Sequence, residues 1–280
     1  YAAFIDTGTS LSVPLLLKVL AEKGISREKV THVMTTHVHL DHAGGAGALM
    51  QEFPNAFLVA HPRGARHMID PTKLIAGTVA VYGEEITQKL YGTIVPVPEE
   101  RVLIAEDESR LDFHGRSLLF LDAPGHARHH YCVIDESTNS VFSGDNFGIS
   151  YREFDNENGA FIFPTTTPVQ FDPEAMRKTL DRLLSYNPQA VYLTHFGRVT
   201  NVEKLGSDLR NCLDQLVEMA LDLKQKGKAQ QDNLASGVQQ ILRDRLRKHN
   251  CQLPESRQDE LLAFDYQLNA QGIKVWLDRL

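Results

Sequence analysis

The order of apolar runs predicts an α/β fold, and three observations carry the prediction. Strand-like runs alternate with helical spacing from residue 1 to about 201, four of those runs end on residues able to ligate a metal, and beyond 202 only helical spacing remains. Alternation of this kind is the mark of sheets covered by helices. The expected division is an α/β domain over 1–201 and a helical extension packed on it over 202–280. With 280 residues the chain is long enough to bury a large core.

Strands are expected at 2–5, 30–35, 56–60, 117–122, 131–134, 139–143 and 190–194, where short apolar runs stop at turn-forming residues. Helices are expected at 11–23, 44–52, 73–90 and 173–185, the last opened by Asp172-Pro173-Glu174, an N-cap followed by proline at the first helical position. Farther on, Leu205, Leu209, Leu213, Leu216 and Ala220 share one helix face. Leu234, Val238, Ile241 and Leu242 share another, and a third run comes after Pro254. Each stripe needs cover. Packing on the α/β body is the plain expectation, with a homodimer interface or a substrate lid as the alternatives.

Composition narrows the partners. With 36 acidic against 29 basic side chains and a net charge of −7, the chain lacks the basic footprint of a nucleic-acid binder. No apolar run approaches the roughly 20 residues that span a bilayer, so no membrane partner is expected. Three cysteines, Cys132, Cys212 and Cys251, are far apart and without CxxC spacing, which points away from a disulfide framework and towards a reducing, cytoplasmic setting. The chain opens inside its first strand with Tyr1-Ala2-Ala3-Phe4-Ile5, so that strand reads as truncated at its N-terminus.

Residues His37-Val38-His39-Leu40-Asp41-His42 place four potential metal ligands within six positions, between the run VTHVMTTH and a glycine-rich stretch. Imidazole and carboxylate suit zinc, iron and manganese. Three other strand-like runs finish at His126, Asp145 and His195, each beside a glycine (Gly125, Gly144 and Gly197) that permits a tight turn. Strand ends can deliver side chains to one cleft; histidines scattered at random would not fall so.

The segments THVHLDHAGG, APGHARHH, FSGD and LTHFG, in that order, with Phe4-Ile5-Asp6-Thr7-Gly8 before them, resemble the metal motifs and opening turn of the metallo-β-lactamase superfamily over about residues 1–200. Within it the chain is most similar to the hydroxyacylglutathione-hydrolase-like branch. The resemblance implies an αββα sandwich, with 1–201 as the catalytic domain. It implies two divalent metal ions, zinc by preference with iron or manganese as alternatives. His37, His39 and His126 would hold the first, Asp41, His42 and His195 the second, and Asp145 would bridge them. Asp6 resembles the superfamily's buried aspartate that supports the HxHxDH loop.

The implied reaction is hydrolysis of a small ester, thioester or lactone by hydroxide generated between the metals, with no serine or cysteine nucleophile. Asp41 is expected both to ligate and to orient that hydroxide, which makes it the catalytic residue to test. Two other readings stay open: a single-iron oxygenase of the persulfide-dioxygenase kind, and a catalytically quiet binding or signalling protein. Flavodiiron members carry Glu where this chain has His39, a large lactamase subgroup uses a cysteine ligand absent beside Gly144-Asp145, and ribonuclease-like members usually carry a basic surface.

His130 is expected to support a ligand rather than bind metal, and His129 is likewise left out of the ligand set. The segment after Asp145 carries Phe147, Tyr151, Phe154, Phe161 and Phe163. These aromatics either wall a small-molecule substrate pocket or anchor an irregular loop. Arg152 and Arg198 are candidates for a substrate carboxylate, whereas Arg243, Arg245, Arg247 and Lys248 read as a solvated helix face.

Overall fold

A computed structural model describes residues 1–166 and 169–280, apart from the side chains of Val81 and Tyr82. Thr167 and Pro168, within the segment after Asp145, lie outside the described residues. The strands form two sheets, and the chain divides into two compact units. The first comprises Tyr1–Asp122 and His129–Ser137, the second Ala123–Arg128 and Thr138–Leu280.

In the first unit the elements run β1 (Ala2–Ile5), α1 (Val13–Glu22), β2 (Val30–Thr35), α2 (Leu40–Ala43), α3 (Ala46–Glu52), β3 (Phe57–Ala60), α4 (Pro62–Ile69), α5 (Thr72–Tyr82), α6 (Glu84–Tyr91), β4 (Val102–Ile104), β5 (Arg110–Phe113), β6 (Arg116–Asp122) and β7 (Tyr131–Asp135). Strands β1 to β4 pair in order, all parallel. Parallel strands need helical crossovers, which explains why their sequences are short apolar runs rather than alternating ones. Val33, Leu49, Met50, Phe53 and Leu58 are fully buried between this sheet and its helices; each such side chain contributes about 1.5–3 kcal/mol. Strands β5, β6 and β7 pair antiparallel.

The second unit runs β8 (Ser140–Gly144), α7 (Pro173–Ser185), β9 (Ala190–Leu193), β10 (Gly197–Val199), α8 (Val202–Gln225), α9 (Gln231–Lys248) and α10 (Glu255–Asp278). Strand β8 pairs parallel with β9, and β9 antiparallel with β10. The apolar stripes of the three long helices are buried against one another and against Phe154, Phe161, Phe163 and Phe171 in one core. Asp172 caps α7 as its sequence suggests, accepting a hydrogen bond from the Ala175 N–H at 3.0 Å.

Three departures from the sequence expectation have local causes. The single helix expected over 73–90 is two, because Gly83 adopts φ 81°, ψ 160° and ends α5 before α6 begins. Helix α4 is unforeseen; its N-cap is His61, whose Nδ1 accepts from the Arg63 N–H at 3.0 Å. Strands β4, β5 and β10 are three or four residues long with mostly exposed or half-buried side chains, too short to show a period. No disulfide joins the three cysteines, and burial pushes the Cys212 thiol up to about 12.

Candidate metal centre

The first unit gathers His37, His39, Asp41 and His42 where β2 runs out into α2. The parallel sheet fixes the end of β2, and the buried carboxylate of Asp6, just past β1, fixes the residues beyond it. Asp6 Oδ1 accepts the Thr36 N–H at 2.7 Å, and its Oδ2 accepts the Thr36 hydroxyl and His42 Nδ1–H, both at 2.9 Å. Having donated its own proton to Asp6, Thr36 Oγ1 accepts from His37 Nδ1 at 3.1 Å. Both imidazoles are therefore held in the tautomer that leaves Nε2 as a lone pair, the arrangement that tunes metal-binding histidines. His37 Nε2 faces His39 Nδ1 at 2.9 Å, and His42 Nε2 faces Asp41 Oδ2 at 3.5 Å.

The second unit gathers His126, Asp145 and His195. His126 lies in the segment Ala123–Arg128, Asp145 comes directly after β8, and His195 stands in the turn between β9 and β10. Gly125 makes the first of these placements achievable: at φ 141° it lies so close to α7 that an added Cβ would be 2.5 Å from Met176 Cα. The His126 N–H donates to Asn146 Oδ1 at 3.1 Å, and His126 Nδ1 donates to the Thr165 carbonyl at 3.2 Å, again leaving Nε2 as a lone pair. The two oxygens of Asp145 then divide. Oδ2 lies 3.4 Å from His126 Nε2, and Oδ1 lies 3.6 Å from His195 Nε2.

These separations test whether the donors fit a metal. Two donors held at about 2.0–2.1 Å by one tetrahedral zinc lie roughly 3.4 Å apart. His126 with Asp145, His195 with Asp145, and Asp41 with His42 all match that separation, and His37 with His39 is somewhat closer. A carboxylate presenting one oxygen to each of two imidazoles has the disposition of a bridging ligand.

Thr36, Asn146 and the Thr165 carbonyl escape sequence reading. Thr36, next to His37, could have been suspected, but a backbone carbonyl has no residue type to read. His130 is buried with its ring 4.8 Å from that of His37, and His129 stands edge-on to His39 at 5.5 Å. Of the aromatic segment, Phe154, Phe161 and Phe163 belong to the core beneath α8–α10; Phe154 and Phe163 anchor, and Phe161 also lines a cavity of about 320 Å³. Tyr151 differs: it is half-buried, stacks on Phe196 at 4.3 Å, and donates its hydroxyl to Asp265 Oδ2 at 2.7 Å. Burial pushes the Asp265 carboxyl up to about 6, against the lowering influence of Tyr151 and His195. Arg243 and Arg247 are ion-paired, with Asp259 and Asp244 respectively.

An α/β fold of two sheets whose strand ends carry histidines and aspartates belongs to a recognisable class of metal-binding proteins. The family model of the metallo-beta-lactamase superfamily matches residues 2–195, and the chain belongs to that superfamily, whose members bind divalent metals. It is similar to the metallo-beta-lactamase fold-containing protein ST1585 of Sulfurisphaera tokodaii, 26% identical over 201 residues that span 66% of this chain and 70% of the archaeal one. The structure of the metallo-beta-lactamase family protein TTHA1429 from Thermus thermophilus superposes with a TM-score of 0.65 at 20% identity, over 98% of this chain and 84% of that one. An atrochrysone carboxyl ACP thioesterase of Pseudocercospora fijiensis is 28% identical over 144 residues, 51% of this chain but only 32% of the fungal protein. Among the described residues no helix is long and apolar enough to cross a membrane.

Proposed function

We propose that the two groups of donors act as one two-metal centre and that the chain hydrolyses a small acyl ester, with thioesters preferred over oxygen esters and lactones. The observation that carries this reading is the division of Asp145 between His126 and His195. His37 and His39 would complete the first position, Asp41 and His42 the second. The donor set accepts zinc, iron or manganese, and zinc is the ion we assign. The thioester preference draws support from the fungal relative named as a thioesterase. It also agrees with the motif likeness to the hydroxyacylglutathione-hydrolase-like branch. We assign residues 1–201 to the catalytic domain and 202–280 to its helical extension.

When bound, two divalent ions supply Lewis acidity and a hydroxide at neutral pH. The chain's own residues do the rest. Asp41, with its side chain 47% exposed, accepts the hydrogen bond of the attacking oxygen and aims it at the acyl carbon. A carbon–oxygen bond forms, the carbon–sulfur bond breaks, and the proton leaves with the thiol. Asp6, Thr36 and the Thr165 carbonyl hold the imidazoles in one tautomer throughout.

Metal analysis of the purified protein should return two ions per chain, and a panel of acyl thioesters, esters and lactones should show turnover that is independent of oxygen. Asp145→Ala should retain at most one ion and lose at least about 100-fold in hydrolysis. One ion per chain with oxygen-dependent turnover, or no turnover on any acyl substrate, would refute the proposal.

A further inference from the structure

Two adjoining cavities in the second unit, of about 320 Å³ and 200 Å³, share Asn158, Ala160 and Lys204 and form one groove. Its charged lining is Arg152, Arg198, Lys204, Arg245 and Lys248, opposed by Asp155 and Asp208 alone. Five cations against two carboxylates is a local excess of positive charge in a chain whose net charge is −7, and such an excess concentrates anions.

The carboxylates do not neutralise the groove. Asp155 pairs with Arg152 at 3.3 Å and Asp208 with Lys204 at 2.7 Å, which leaves Arg198, Arg245 and Lys248. Arg245 reaches only neutral acceptors, the Asp208 carbonyl at 2.6 Å and Gln215 Oε1 at 3.4 Å, and its buried Nε–H has no hydrogen-bond partner among the described residues. A guanidinium half-buried without a carboxylate is costly unless an anion reaches it. Helical geometry separates these residues from their neighbours: Arg243 and Arg247, four apart, turn to ion pairs outside the groove, whereas Arg245 and Lys248, three apart, line it.

Two of the groove's cations, Arg152 and Arg198, come from the segments that also carry Tyr151 and His195. Arg198 lies three residues beyond His195, and Arg152 comes after Tyr151, which stacks on Phe196 at 4.3 Å. We infer that this groove binds the phosphate groups of a phosphorylated thiol whose acyl thioester is the substrate, an inference that rests on the hydrolase reading above. Separated cations and a cavity of this size suit a multiply charged, many-oxygen group better than one carboxylate.

The test uses coenzyme A as the phosphorylated thiol. Its binding is measured by calorimetry, and hydrolysis of acetyl-coenzyme A is compared with that of the phosphate-free S-acetyl-N-acetylcysteamine. Lys248→Ala and Arg198→Ala should each raise the Kd for coenzyme A about tenfold, with KM for acetyl-coenzyme A rising in step and KM for the phosphate-free thioester unchanged. Arg247→Ala, outside the groove, should leave the Kd unaltered. Coenzyme A binding no tighter than N-acetylcysteamine, a Kd unmoved by both groove variants, or equal displacement by glutathione would each overturn the inference, even in an active hydrolase. Groove-dependent binding of coenzyme A without any thioester turnover would instead retain the phosphate site and refute the hydrolase reading.

Discussion

Replacing Asp6 by Asn separates charge from backbone at the base of the first ligand group. Asp6 sits at φ 58°, a left-handed conformation that Asn tolerates as well as Asp, whereas Ala there adds about 1–2 kcal/mol of strain. The Asn side chain can still accept the Thr36 N–H at the Oδ1 position, now 2.7 Å away. At the Oδ2 position its amide N–H would meet the Thr36 hydroxyl and His42 Nδ1–H, each now 2.9 Å from an acceptor. The Thr36 hydroxyl can turn to accept from the amide, at the expense of its present geometry, but His42 Nδ1–H would face a donor. Losing a hydrogen bond to a charged group costs about 1.5–3 kcal/mol. Loss of such an orienting partner typically weakens metal binding by about 10- to 100-fold, or about 1.4–2.7 kcal/mol. The assay is chelator competition for zinc or cobalt on the folded variant, beside a thermal melt of the metal-free protein. Asp6→Asn should bind metal at least about tenfold more weakly while Asp6→Ala loses more stability than Asp6→Asn. Metal affinity within about twofold of the parent protein, against the tenfold loss expected, would show that Asp6 does not hold the tautomers of His37 and His42.

Asp41→Asn should reduce turnover far more than metal content, because the amide can still ligate through oxygen but accepts the nucleophile's hydrogen bond poorly; parallel loss of both would reduce Asp41 to a ligand. Gly125→Ala, which sets a Cβ 2.5 Å from Met176 Cα at φ 141°, should cost about 2–4 kcal/mol and lower metal content with it; an unchanged Tm would mean that the turn has room to relax. Asn269→Ala removes the acceptor of the Thr166 N–H at 2.8 Å, a buried loss of about 1–3 kcal/mol, and should weaken metal binding as well as folding. A change in Tm with metal affinity intact would confine Asn269 to packing.

Much of the architecture is legible in the chain because strands such as β3, β8 and β9 are mostly buried and read as short apolar runs, and because the candidate ligands of the first group lie within six residues. His126, Asp145 and His195 are distant in sequence, yet each closes an apolar run, so the end of the run identifies it. Legibility fails where the signal is short or shared. Strand β5, RLDF, alternates exposed and half-buried residues over one turn's length, and α4 begins on a histidine cap that no propensity scale favours. The basic run Arg243–Lys248 reads as one solvated face because composition cannot say which of its members meet carboxylates. The aromatic segment has the residue types of both a pocket wall and a core, and only the structure separates Phe154 and Phe163, buried as core under α8–α10, from Phe161, which is buried there and also lines a cavity.

That burial also gives the helical extension a part in building the proposed metal site. Thr166 is pinned to α10, its N–H donating to Asn269 Oδ1 at 2.8 Å and its hydroxyl to the Asn269 carbonyl at 2.9 Å. The neighbouring Thr165 carbonyl accepts His126 Nδ1–H at 3.2 Å, so one hydrogen-bonded strap runs from α10 to the ring of His126, a proposed metal ligand. A second runs from Asp265, one helical turn before Asn269, through the Tyr151 hydroxyl and the Tyr151–Phe196 stack to the residue after His195. Asp265 and Asn269 are both buried. Polar side chains four residues apart on the buried face of a helix are costly as packing and are retained where their hydrogen bonds specify a geometry. Here that geometry is the orientation of His126 and the placement of the His195 turn, which makes α10 a support of the second ligand group and not merely a cover for the aromatic core.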